Sequence, residues 1–297
     1  MKDVIIKVED MTIAYADKPV LWDNDIDIIN NSITAIIGPN GAGKSTLIKG
    51  ILNLQKKLSG SVTIMGKSFE EVKKKIAYIP QTASVNWDFP TTVLDVVLMG
   101  RYVHLGWLKR PTKEDYGLAR KALKKIGMED FEDRQISELS GGQRQRVFIA
   151  RAIAQDADIY FMDEPLAGVD KVTEKVIFDF MKDSQMKGNT SIVVHHDLNT
   201  IEKYFDHIII LNKKVIAQGP VSEAFTKENV DKVTEKIIFD FMKDSQNRGK
   251  TSIVVHHDLN TIEKYFDHIV ILNKKVIAQG PVSEAFTKEN VDKAFVR

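Results

Sequence analysis

With 297 residues, 43% of them apolar and 28% charged, the chain can form one large domain or two ordinary ones and bury a sizeable core. Its 42 basic and 41 acidic residues leave a net charge of +1, which gives no global pull toward nucleic acid or anionic lipid. Cysteine is absent, which excludes disulfides, thiolate metal sites and cysteine nucleophiles.

The opening stretch MKDVIIKVEDMTIAY has no apolar core of a secretion signal, and no apolar run approaches the roughly 18 residues of a membrane-spanning helix. A cytoplasmic, soluble chain is therefore expected. The runs VIIKVEDMTIAY, VLWDNDIDI and ITAIIG are β-branched and separated by the turn signals ADKP and INNS, so they predict three strands. From Gly43 the pattern turns helical through KSTLIKGILNL, and GSVTIMG and KIAYIP follow as strands. Residues 86–154 read as mainly helical, with KEDYGLARKALKKIG the clearest amphipathic stretch, and DIYFMD then reads as a buried strand.

Beyond that strand the segment 171–231 recurs as 232–292 with only five differences: Val176/Ile237, Met186/Asn247, Lys187/Arg248, Asn189/Lys250 and Ile209/Val270. Each copy reads helix, strand, helix, strand, short strand, helix. Two units are too few for a solenoid, so the expectation is a tandem duplication of part of one domain.

The residues that carry chemistry begin at GPNGAGKST, from Gly38 through Asn40, Gly41, Gly43, Lys44 and Ser45 to Thr46. It fits the phosphate-loop pattern between a predicted strand and a predicted helix. Glycines let backbone N–H groups turn inward around phosphate oxygens, and the following helix adds its N-terminal dipole. Lys44 is expected to reach the β- and γ-phosphates, and the Ser45 hydroxyl to bind Mg²⁺. DIYFMDEP supplies Asp163 and Glu164 at a strand end, one carboxylate to hold Mg²⁺ and one to face the attacking water. LSGGQRQRVFIARAIA then opens a helix with Ser140, Gly141 and Gly142, an arrangement that can hold an anion or simply cap the helix.

With the phosphate loop, the LSGGQ stretch and the Asp-Glu strand in this order, residues 1–231 resemble an ATP-binding cassette (ABC) ATPase. The resemblance implies an α/β P-loop NTPase of ABC type: a RecA-like core, an antiparallel β subdomain, and an inserted helical subdomain at about 86–154. It implies ATP and Mg²⁺ as cofactors. It also implies that Tyr15 stacks on adenine, that Gln81 touches Mg²⁺ and the attacking water, and that His196 contacts the γ-phosphate. Asp170 would lie at a dimer interface. Ser140, Gly142 and Gln143 would complete the partner subunit's site in a homodimer.

The stretches SVNWDFPTTVLDVVLMGRY, HHDL and VIAQGPVSEAFTKEN resemble the ATPases of manganese, zinc and iron importers. The implied partners are an integral membrane permease, seated at about residues 82–101, and indirectly an extracellular metal-binding protein. Nucleic acid is not expected as a partner. The implied location is peripheral, on the inner face of the cell membrane. The alternatives are a soluble cassette protein of DNA repair or translation, and a catalytically impaired binding module.

His195 and His196 are adjacent on a predicted strand, so their side chains point to opposite faces and cannot chelate one ion. His207 and its copy His268 are expected to pack or face solvent.

Of the two copies, the first is expected to complete the site. Docking the second would leave the first as a closed loop, at a cost of about 3–4 kcal/mol, and the five substitutions are mild, each below about 1.5 kcal/mol. Residues 232–297 are then expected to be an extra segment without catalytic role, with no core of its own.

Overall fold

The computed structural model describes residues 3–15, 18–82, 85, 87, 89–105, 109–230, 249, 251, 253, 262–273 and 275–295. The chain forms two compact units, Met1–Thr234 and Glu235–Arg297. The division falls three residues beyond the end of the first copy.

In the first unit the strands are β1 (Val4–Tyr15), β2 (Lys18–Ile29), β3 (Ile33–Ile37), β4 (Ser59–Ile64), β5 (Ile76–Ile79), β6 (Ile159–Met162), β7 (Thr190–Val194), β8 (His207–Asn212) and β9 (Lys214–Pro220). The helices are α1 (Lys44–Ile51), α2 (Phe69–Val72), α3 (Val93–Leu98), α4 (Lys113–Lys125), α5 (Gly141–Gln155), α6 (Lys171–Met186), α7 (Ile201–Tyr204) and α8 (Val221–Ala224). β2, β1 and β4 make an antiparallel sheet, and a six-stranded sheet runs β5-β6-β7-β3-β8-β9. All its pairings are parallel except that of β8 with β9.

Both faces of this sheet are covered, so its inner strands are apolar throughout rather than alternating with polar residues. The alternation appears instead in which core each residue enters. Ile33, Ala35 and Ile37 of β3, with Ile208 and Ile210 of β8, pack with α3, α4, α5 and α6. Ile36, Ile209 and Leu211 pack on the other side with α1 and the antiparallel sheet. Asn24, fully buried on β2, ties the two sheets together: its amide donates to Lys213 O at 3.1 Å and accepts from Val215 N at 2.7 Å.

The first copy therefore supplies β7, β8 and β9 to the large sheet. The helix expected between its first two strands is shorter than read: a 3-10 turn at Leu198–Thr200 and the single turn α7. Residues 86–154 are interrupted by several 3-10 turns between α3, α4 and α5.

The second unit contains α9 (Ile262–Tyr265), β10 (His268–Asn273), β11 (Lys275–Pro281), α10 (Val282–Ala285) and α11 (Lys288–Phe295). β10 and β11 form a two-stranded antiparallel sheet. This unit does bury a small apolar set, Ile262, Ile271, Val282, Ala285 and Ala294, against the expectation of no core at all. α10 packs on both strands of the hairpin, as α8 packs on β8 and β9 in the first copy. Most of residues 231–261, including His257, lie outside the described residues.

Candidate functional site

Parallel strands present their C-terminal ends on one edge of the sheet, where open α/β folds place ligands. The phosphate loop leaves β3, Gln81 follows β5, Asp163 and Glu164 follow β6, and His195 and His196 follow β7. Strand order thus gathers residues that lie far apart in the chain.

The loop from Gly38 to Gly43 depends on its glycines at two points. A Cβ on Gly38, at φ 153°, would lie 2.0 Å from Leu211 O, and one on Gly43, at φ 96°, would lie 2.6 Å from Leu21 Cδ2. Any other residue would therefore displace backbone or core. A cavity of about 210 Å³ opens over the loop, lined by Val20, Asn40, Gly41, Ala42, Gly43, Lys44, Ser45, Thr46 and Glu164. Lys44 Nζ donates to Gly38 O and Pro39 O, each at 2.8 Å, and burial holds its pKa below the usual lysine value. These are the contacts of an ammonium folded onto its own loop at the rim of an anion cradle.

Ser45 Oγ donates to Asp163 Oδ1 at 2.8 Å. The Asp163 carboxyl is buried, and desolvation raises its pKa, opposed by the hydrogen bond from Ser45. Tyr78 on β5 also donates to Asp163, and burial followed by that carboxylate pushes the Tyr78 phenol up to about 12. A hydroxyl and a carboxylate within 2.8 Å beside a phosphate cradle form the hard-oxygen donor set that Mg²⁺ takes, so the residues present fit that ion.

Glu164 is a non-glycine residue at φ 53°, a conformation that costs energy and is retained where surrounding structure holds it. Its two carboxylate oxygens are gripped from different strands: Gln81 Nε2 donates to Oε2 at 2.8 Å, and His196 Nε2 lies 2.7 Å from Oε1. The adjacent imidazole, His195, turns the other way. It is 4% exposed, bonds Thr200 Oγ1 at 2.6 Å and packs on Phe205, and burial lowers its pKa. Among the described residues, no group of three or more His, Cys, Asp or Glu is placed to hold a metal. His207 is buried.

The remaining expected residues lie apart from this cluster. Tyr15 ends β1, 44% exposed, next to the hairpin that carries Val20 into the cavity wall. Ser140 caps α5 in a reciprocal pair with Gln143: Ser140 N donates to Gln143 Oε1 at 2.9 Å, and Gln143 N to Ser140 Oγ at 3.3 Å. Gly142 packs on the N-terminal end of α6. A Cβ there would lie 3.0 Å from Asp170 Oδ2, while Asp170 caps α6 by accepting from Thr173 N at 2.8 Å. That backbone bond leads in lowering the Asp170 pKa.

Sequence reasoning missed three contributors: Val20 in the cavity wall, Tyr78 on Asp163, and Gln145. The last is 2% exposed on α5, and its amide oxygen accepts from the Thr82 hydroxyl beside Gln81. Only the inward position of Tyr78 and Gln145 on apolar elements hinted at them.

Fold and site together define a phosphate-loop ATPase with an ordered acidic strand end and a capped glycine helix start. A family model described as "ABC transporter" matches residues 21–167. The zinc transport system ATP-binding protein TroB of Treponema pallidum (strain Nichols) is 55% identical over 227 residues, covering 76% of this chain and 85% of the relative. The manganese transport system ATP-binding protein MntB of Bacillus subtilis (strain 168) is 54% identical over 227 residues, covering 76% and 91%. A solved ATP-binding cassette, dimeric in a post-hydrolysis state with ADP and phosphate bound, superposes with a TM-score of 0.64 at 28% identity, covering 73% of this chain and 98% of that one. The chain belongs to the ABC transporter ATP-binding family, and it is an ATPase with ATP as its nucleotide.

Proposed function

We propose that this chain is the ATP-hydrolysing subunit of an importer for a transition-metal ion, manganese, zinc or iron. The observation that carries the ATPase part is the convergence of Gln81 and His196 on Glu164 beside the Ser45–Asp163 pair and the phosphate loop. Identity of about half to the zinc and manganese transport relatives supports the choice of substrate.

In this reading residues 1–231 are the catalytic domain and 232–297 an additional segment without catalytic role. Gly38, Asn40, Gly41, Gly43 and Thr46 cradle the phosphates with their backbone N–H groups, and Lys44 turns from the loop carbonyls to the β- and γ-phosphates. Ser45, Asp163 and Gln81 hold Mg²⁺, which when bound neutralises charge on the phosphate oxygens. Tyr78 keeps the Asp163 carboxylate aimed at Ser45. Glu164 accepts a proton from the attacking water, and Gln81 and His196 fix the rotamer in which it does so; His196 also reaches the γ-phosphate. Tyr15 stacks on adenine.

The site is completed in a homodimer by Ser140, Gly142 and Gln143 of the other subunit, with Asp170 at the shared interface. The dimeric state of the related cassette supports this. The hydrolysis cycle is passed to an integral membrane permease, which places the chain on the cytoplasmic face of the membrane. The cargo ion meets a separate extracellular metal-binding protein and never this chain.

The test is reconstitution of this chain with the membrane permease with which it co-purifies. Uptake of Mn²⁺, Zn²⁺ or iron coupled to ATP hydrolysis is expected. Hydrolysis that no permease or metal stimulates would refute the transport reading while leaving the ATPase in place.

A further inference from the structure

Side chains on one face of α5 run along the edge strand β5. Arg151 Nη2 donates to Tyr78 O at 2.9 Å, and Gln155 Nε2 donates to Ile76 O at 2.7 Å. Gln145 and Phe148 continue that face toward the start of α5, at the spacing that stacks side chains on a helix. There the strand has ended. β5 stops at Ile79, and Pro80 has no N–H with which to extend the ladder toward Gln81.

Gln145 is 2% exposed, and its amide Oε1 accepts from the Thr82 hydroxyl. Thr82 directly follows Gln81, whose Nε2 donates to Glu164 Oε2 at 2.8 Å. A second grip acts on the Thr82 carbonyl, which accepts from Trp87 Nε1 at 3.0 Å. The Trp87 ring in turn packs on Phe148, with ring centroids 5.1 Å apart. Both holds on Thr82 therefore trace back to α5, one directly and one through Trp87. Gln145 sits among buried apolar residues of α5, where an apolar side chain would avoid the desolvation of an amide.

We propose that Gln145 is a positioning residue for hydrolysis. By holding Thr82 it fixes the backbone at Gln81, and with it the Gln81 amide that orients the Glu164 carboxylate. The proposal rests on the reading of Glu164 as the proton acceptor. It gives Gln145 a task separate from docking α5, because Arg151 and Gln155 already fasten the helix to β5.

Steady-state ATP hydrolysis by the full chain with Mg²⁺ tests this. Gln145→Met keeps the bulk and removes the acceptor, and Thr82→Val keeps the shape and removes the donor. Each should lower kcat about tenfold and leave the KM for ATP within about twofold. The double variant should be no slower than either single one, since both break the same bond. Thr82→Ser restores a hydroxyl and should recover most of the turnover lost in Thr82→Val. In a Gln81→Ala background, adding Gln145→Met should lower kcat no further, because its effect runs through Gln81. If Gln145→Met does not fold, the contrast between Thr82→Val and Thr82→Ser decides. Additive losses, a Thr82→Ser as slow as Thr82→Val, or parent turnover in Thr82→Val would overturn the proposal. With Glu164→Gln inactive, those results leave Glu164 as the base; parent turnover in Glu164→Gln would overturn both readings together.

Discussion

His196 and Glu164 meet from the ends of two neighbouring strands, with the imidazole Nε2 2.7 Å from carboxylate Oε1. Gln81, arriving from a third strand, holds the other carboxylate oxygen at 2.8 Å. The carboxylate is thus clamped in one rotamer above the phosphate loop, as a base must be if it is to meet a positioned water.

Glu164→Gln keeps the shape of that clamp but removes the proton acceptor. Nucleotide binding is expected to persist while hydrolysis falls at least about a hundredfold, roughly 2.7 kcal/mol in barrier. Turnover at the unmodified rate would remove Glu164 from the base role.

His196 belongs to the copy whose strands lie in the large sheet, and His257 to the other. His196→Ala should abolish most hydrolysis, with His257→Ala close to the parent rate. Truncation after Asp231 should keep the activity and improve solubility, since it removes the exposed hairpin. Steady-state phosphate release on the three proteins checks this. Loss of activity in His257→Ala alone would show that the second copy occupies the sheet.

Asp163 has a pKa raised first by burial. A carboxyl raised in the folded state stabilises the fold below its unfolded pKa, and that contribution is lost as pH rises through the folded value. Thermal melts of the protein without Mg²⁺ should therefore show stability declining with pH from the ordinary aspartate range upward. Asp163→Asn should flatten that slope and raise the neutral-pH melting temperature by a few degrees. It should also forfeit the added stability expected of the parent on addition of Mg²⁺ with nucleotide. An unchanged slope would mean that the burial of this carboxylate is offset by its partners.

Gly142 and Gly141 offer a matched pair. A Cβ on Gly142 meets Asp170 Oδ2 at 3.0 Å and Thr173 Oγ1 at 3.2 Å, whereas one on Gly141 meets nothing within 4 Å. Gly142→Ala should cost about 1 kcal/mol of stability without nucleotide, and Gly141→Ala less than about 0.5 kcal/mol. Denaturant unfolding distinguishes them. Equal costs would mean that the tight contact with α6 relaxes freely.

What the sequence determined by itself was local. The phosphate loop, the Asp163–Glu164 strand end and the Ser140 cap are readable because their chemistry needs particular residue types at fixed short spacings. β1 and α5 are readable because a buried period of two or of 3.6 is written into consecutive residues, and β3 and β6 because each is a short, unbroken apolar run. Tertiary structure decided what depends on strand order and on how many partners a surface has. Tyr78 reaches Asp163, and Gln81 and His196 reach Glu164, only because β5, β6 and β7 lie side by side. The two copies are a sharper case. Their patterns are nearly identical, so no periodicity separates them, yet β3 has a single edge for β8 and the first copy occupies it. The same apolar residues are core in one copy and surface in the other, because burial is a property of the available partner and not of the residue.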